Sequence, residues 1–103
     1  ELTAEGTPVL VNFTAAWCIS CIANERVALA GADFEALLRE TGTTYLKADW
    51  TDHDPRITEA LAEFGRSGVP LYVLYPAGGG EPRLLPQLLT PGSVAEALRA
   101  AAR

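Results

Sequence analysis

Cys18 and Cys21 are the only cysteines in a chain of 103 residues. A disulfide framework for a small secreted fold usually needs four or more. A bridge across a two-residue gap also closes too short a loop to stabilise a fold much. The pair therefore reads as chemical rather than structural. At the start of a helix, Cys18 would lie near free backbone N–H groups, whose partial positive charge favours its thiolate. Cys21 would lie one turn further in, close enough to close a disulfide and more buried. That arrangement suits thiol–disulfide exchange: Cys18 attacks a substrate disulfide, and Cys21 resolves the mixed disulfide. The competing chemistry is a zinc half-site. Zinc needs about four ligands, and the only histidine is His53, so no metal is expected.

The elements that must hold this pair are legible on either side of it. Pro8 to Phe13 (PVLVNF) is a nearly continuous apolar run rich in β-branched residues, the pattern of a central strand buried on both faces. From Cys18 to about Ala30 the pattern turns helical, with Ile22, Val27 and Leu29 among its apolar members, and Gly31 ends it. Asp33 is expected to cap a second helix, Phe34 to Glu40, stopped by Gly42. Thr43 to Ala48 reads as a strand. Asp54 and Pro55 form an N-cap and a proline at the first helical position, and Ile57, Leu61 and Phe64 give a stripe up to Gly65. Leu71 to Tyr75 is a further strand. Gly78 to Gly80 mark a hairpin tip, and Arg83 to Leu89 is expected as the return strand, irregular at Pro86. Thr90-Pro91 opens the last helix, with Ser93 and Glu96 as a second possible capping box, and Val94, Ala97, Leu98 and Ala101 on its buried side. A strand–helix–strand unit implies a right-handed parallel crossover, and the closing hairpin adds an antiparallel pair. The fold class is α/β, a mixed central sheet with helices on both faces.

Composition limits the partners. Hydrophobic residues make up 49% and charged residues 20%, which reads as globular rather than disordered. The length suits one domain over residues 1–103. The net charge of −5 argues against nucleic acid, whose phosphates need a basic face, and against an anionic membrane surface. The longest apolar stretch, Val69 to Ala77, is broken by prolines and falls far below the roughly 18 residues of a membrane span. No basic start followed by an apolar run marks a signal peptide. The chain contains no Met, so Glu1 is not a natural start, and an excised domain or processed product is expected.

Ala15-Ala16-Trp17-Cys18-Ile19-Ser20-Cys21 after PVLVNFT resembles the thioredoxin superfamily, and within it the C-terminal domain of DsbD/ScsB-type thiol:disulfide interchange proteins. Lys47 to Thr51 (KADWT), Asp54 to Thr58 (DPRIT) and Phe64 to Pro76 (FGRSGVPLYVLYP) add to the likeness, which covers about residues 7 to 102. The leading strand and helix of a full thioredoxin are absent or cut at residue 1. The resemblance implies the thioredoxin fold and a periplasmic domain of an inner-membrane protein. It would accept electrons from a membrane-embedded partner domain and reduce disulfides of periplasmic proteins, as a monomer without a cofactor and without entering the membrane itself. It also implies that Val69-Pro70 is a cis-proline loop beside the cysteines, where Pro70 excludes metals and the Val69 backbone pairs with an incoming peptide strand.

Two further positions follow from the resemblance. Asn12, six residues before Cys18, stands where such domains commonly carry a buried Asp that helps move the proton of the resolving cysteine. Asn does not titrate, so its expected part is a hydrogen bond under the site. Glu25 is four residues after Cys21 and so on the same helix face. The family has an acidic residue there, and its carboxylate is expected beneath the resolving thiol, in a low dielectric that disfavours the charged form.

The remaining conspicuous residues have plainer readings. Trp17 is expected beside the site and in touch with partners, as are Ala16 and Ile19. Trp50 should cover the sheet end, and His53, between Asp52 and Asp54, should be exposed rather than a catalytic base. Asn12-Phe13-Thr14 matches a glycosylation acceptor, but a buried strand makes that match false. Gly78 to Gly80 precede no helix and form no phosphate loop. Ile19 and Ser20 put no charge between the cysteines, so the couple is expected nearer thioredoxin, about −270 mV, than DsbA, about −120 mV. Two rivals remain at this level: a free-standing thioredoxin-like reductase, and a redox-inert thioredoxin-like binding module.

Overall fold

A computed structural model describes residues 6–102. The expected domain limits at residues 1 and 103 lie outside the described residues. The elements run β1 (Val9–Thr14), α1 (Ile19–Ala28), α2 (Ala32–Thr41), β2 (Thr44–Asp49), α3 (Pro55–Glu63), β3 (Leu71–Tyr75), β4 (Arg83–Leu84) and α4 (Pro91–Ala101). They build one sheet in the order β2-β1-β3-β4. β1 pairs parallel with β2 and antiparallel with β3, and β3 pairs antiparallel with β4. This is the expected mixed sheet of a thioredoxin fold, with β1 at its centre.

Period-2 alternation along β1 and β3 sorts the core into two layers. Leu10, Tyr72 and Leu74 pack with Phe34, Leu37, Val94 and Leu98, under α2 and α4. Phe13, Leu71 and Val73 pack on the opposite face with Trp50 and Leu61, under α3. Leu61 is fully buried, and a side chain of that size contributes about 1.5–3 kcal/mol when removed from water. Helices therefore cover both faces, and the C-terminal end of β1 emerges between the two layers, where α1 begins.

Local chemistry explains where elements stop, and three expectations need correction. α2 is capped by Gly31 (φ 93) with no side-chain bond, and Asp33 lies inside the first turn. Its charge there still meets the positive end of the helix dipole. The buried face of α1 is Cys21, Asn24 and Ala28, while Ile22 and Val27 are exposed. Spacings of three and four residues select that face. The capping box of α4 joins Thr90 to Ser93 reciprocally, and Glu96 pairs with Arg83 at 3.0 Å instead. Finally, the return strand β4 holds only Arg83 and Leu84. Leu85 still donates to Tyr72 O (3.0 Å), but Pro86 has no N–H to continue the ladder, and the next backbone groups are taken by Asn24. The hairpin tip is as expected: Gly78 and Gly79 adopt φ of 85° and 82°, a conformation that favours glycine.

Candidate active site

Cys18 and Cys21 are joined by a disulfide, with Cα atoms 5.2 Å apart. Cys18 is the N-cap of α1, and its sulfur accepts from Cys21 N at 3.2 Å. The cap places that sulfur at the positive end of the helix. Both cysteines are buried, Cys21 completely and Cys18 with 7% exposure. Ala15 and Val69 pack against the pair. The Val69–Pro70 peptide bond is cis. Pro70 is buried and Val69 partly so.

The turn that delivers Cys18 is strapped to the end of β2. Ala15 O accepts from Cys18 N at 3.1 Å. Ala16 N donates to Thr51 Oγ1 at 2.9 Å, and Trp17 Nε1 donates to Thr51 O at 3.0 Å. The Thr51 hydroxyl in turn donates to Asp49 Oδ1, which also takes Thr51 N at 2.9 Å. Those two bonds, the hydroxyl first, hold the Asp49 carboxyl below the usual carboxylate range. Trp17 is half exposed. Its ring stacks on His53 with centroids 5.5 Å apart, and both rings meet Trp50. His53 is exposed, as expected, and has a positive φ of 56°. Trp50 is buried, its indole donating to Thr58 Oγ1 at 2.8 Å. Ile19 is 83% exposed and projects from the first turn of α1.

Below this layer Asn12 and Glu25 meet. Asn12 is fully buried. Its Nδ2 donates to Glu25 Oε2 at 3.2 Å and to the Tyr45 hydroxyl at 2.9 Å, and its Oδ1 makes no hydrogen bond to the protein. Thr14 Oγ1 adds a donor to Glu25 Oε2 at 2.8 Å, and Lys47 Nζ lies 3.5 Å from Oε1. The low-dielectric setting expected for Glu25 is only partly met. Its side chain keeps 22% exposure, along a groove of about 230 Å³ lined by Thr14, Ala15, Lys47 and Thr51. The carboxyl group thus lies at the rim of that groove, in contact with three donors. Burial raises the Tyr45 phenol above its ordinary value, against the lowering effect of the Asn12 bond. Among the described residues no group of three His, Cys, Asp or Glu is placed to hold a metal ion.

One buried polar residue of α1 escaped sequence reasoning. Asn24 is buried, and it bonds Tyr72 OH (2.9 Å), Gln87 O (2.7 Å) and Leu89 N (3.1 Å). The available signal was its place three residues after Cys21 and four before Ala28, a polar side chain on a helix face that the pattern buries.

A cystine at the start of the helix that follows a central strand, facing a cis-proline, defines a thioredoxin-type redox domain. A family model described as thioredoxin-like matches residues 1–77, and the chain belongs to the thioredoxin-like family. Among curated relatives, the thiol:disulfide interchange protein DsbD of Klebsiella pneumoniae is 30% identical over 78 residues, which is 76% of this chain. That of Ralstonia nicotianae is 33% identical over 79 residues, 77% of this chain. The matched segment is 13% of the length of either relative, so the chain corresponds to a small part of those proteins. In fold, the oxidised C-terminal domain of Neisseria meningitidis DsbD superposes with a TM-score of 0.76 at 22% identity, over 92% of this chain and 80% of that one. A thioredoxin from Thermus thermophilus superposes at 0.75 and 22% identity, over 96% and 76%. The domain is a distant structural relative of DsbD-type oxidoreductase domains, and its cystine supports a redox function.

Proposed function

We propose that this domain is a thiol:disulfide reductant of the DsbD type. The observation that carries the reading is the Cys18–Cys21 cystine at the α1 N-terminus, packed against the cis Val69–Pro70 loop. In the reduced protein the Cys18 thiolate attacks one sulfur of a substrate disulfide and expels the other as a thiolate. Cys21 then loses its proton and attacks Cys18 Sγ, expelling the second substrate thiolate. Two electrons pass to the substrate, and the cystine seen here is the oxidised product. The likeness to DsbD supports the return step: a dithiol of a membrane-embedded partner domain reverses the exchange in the periplasm and reloads the site.

The neighbouring residues take supporting parts. Glu25 receives the Cys21 proton, and Asn12 positions Glu25 by its amide. Trp17, Ile19, Val69 and Pro70 receive the substrate chain, with the Val69 backbone pairing as an added strand. Insulin reduction in the presence of dithiothreitol tests the reading. The domain should accelerate precipitation of the insulin B chain, and Cys18→Ser should abolish the effect. No acceleration by the unaltered domain would indicate a redox-inert binding module.

A further inference from the structure

We propose that His53 is a positioning residue: its ring holds the Trp17 indole in one orientation beside Cys18 and so pre-forms the wall on which a polypeptide disulfide docks. The inference deepens the redox reading above and rests on it.

Trp17 directly precedes Cys18, so the two Cα atoms are about 3.8 Å apart. A chain whose disulfide reaches Cys18 Sγ must pass within reach of the indole. That ring is half exposed, and an unrestrained side chain of its kind would sample several rotamers. Three contacts restrain it. Nε1 donates to Thr51 O at 3.0 Å, the Trp50 ring meets it at 5.9 Å and 55°, and His53 lies along its face at 5.5 Å and 15°. The hydrogen bond fixes one edge of the indole. The stacked imidazole is the contact that fixes its plane.

The His53 ring is itself held. It meets Trp50 edge-on at 4.5 Å and 65°, and Trp50 is buried with its indole on Thr58 Oγ1. His53 N donates to Trp50 O at 2.9 Å, in a turn where His53 has a φ of 56°. Glycine or asparagine meets such a backbone at least cost, so the turn alone does not call for an imidazole. Among the described residues the ring makes no hydrogen bond or ion pair. Its contribution is therefore the flat face it lays on Trp17.

Ordering a mobile side chain on binding lowers affinity. A polypeptide that lies against the indole avoids that loss when the ring is already in place. A small aliphatic disulfide has no chain to lay there and gains nothing.

The test uses the pre-reduced domain in single-turnover mixing with insulin or with hydroxyethyl disulfide. His53→Asn keeps a residue that tolerates the left-handed turn and removes the ring. It should raise the half-saturating insulin concentration by about fivefold, as the ordering of one side chain implies. The maximal rate, and the rate with hydroxyethyl disulfide, should stay within about twofold. In a Trp17→Ala background His53→Asn should add nothing, because His53 acts through Trp17. The nitrogen-15 heteronuclear NOE of the Trp17 indole N–H reads the restraint without turnover. It should fall in oxidised His53→Asn, while that of Trp50 stays. An unchanged half-saturating insulin concentration in His53→Asn overturns the proposal. So does equal slowing of both substrates, or an effect of His53→Asn that persists without Trp17. If the unaltered domain reduces neither substrate, the redox reading fails and the docking claim fails with it. A Trp17 indole equally ordered with and without the His53 ring overturns the positioning claim whether or not the redox reading stands.

Discussion

The amide of Asn12 donates to the Glu25 carboxylate across 3.2 Å, so a side chain that cannot ionise is paired with the carboxylate. An aspartate at position 12 would put two carboxylates in contact. Like charges that close cannot both ionise without cost. Asn12→Asp should therefore lower stability at pH 7 by on the order of 2 kcal/mol. A carboxyl pair that shares a proton when folded holds it to higher pH than the unfolded chain does. Its stability is thus present at low pH and lost as pH rises through the shared-proton step. Urea unfolding at pH 5 and pH 8 checks this, and a loss that is no greater at pH 8 contradicts it.

The same contact separates two proton roles. Glu25→Gln keeps the shape but cannot take a proton from Cys21. It should slow release of the mixed disulfide by about tenfold or more and change its pH dependence. Asn12→Ala removes only a positioning donor and should do less. Quenched-flow trapping of the mixed disulfide gives both rates, and equal small effects would leave neither residue with a proton role.

Thr51 joins Asp49 to the turn before Cys18, and its hydroxyl is the first cause of the lowered Asp49 carboxyl. In Thr51→Val that carboxyl should rise toward the ordinary aspartate value, as read by carboxyl carbon NMR against pH. The sign for stability follows. A carboxyl lowered in the folded state stabilises it above the unfolded pKa of about 3.9, and that contribution fades as pH falls through the lower folded value. Between those two values the unaltered domain should lose stability with falling pH more steeply than the variant does. An Asp49 that titrates identically in both proteins would show that the bond does not hold in solution.

The mixed sheet and the helix after the cystine were legible because each has a local cause: a doubly buried β-branched run and a helix start at Cys18. Asp54 was legible as the α3 cap for the same reason, its side chain accepting from Arg56 N. The cis Val69–Pro70 bond was legible only through the family resemblance, because a Val-Pro pair before an apolar strand has no local cause for the cis form. What was not legible depended on tertiary choice. Ile22 and Val27 are apolar yet exposed, because the buried face of α1 passes through Asn24. β4 ends at Leu84, because Asn24 supplies the bonds that a longer strand would have made. Glu25 sits at a rim rather than in a sealed pocket, because Thr14 and Lys47 converge on it from β1 and β2. No pattern within one element announces such partners.

Both cysteines are buried, but Cys21 completely and Cys18 with 7% exposure. Cys21→Ser should accumulate a mixed disulfide between Cys18 and a partner protein, and Cys18→Ser should not. Non-reducing electrophoresis after mixing with insulin displays the adduct. Trapping by Cys18→Ser alone would reverse the assigned roles.

The central claim is that the couple donates electrons. An attacking thiolate that is strongly stabilised makes a protein oxidising. Here the first turn of α1 has no charged side chain between the cysteines, and Glu25 is the nearest charge after Cys21. Only the helix N-terminus favours the anion, and the net charge of −5 works weakly against it. The potential should lie near that of thioredoxin, about −270 mV. Equilibration in glutathione buffers, followed by the fluorescence of Trp17 beside Cys18, measures it directly. A value near −270 mV is the result the account predicts, and one above about −180 mV would contradict a reductant.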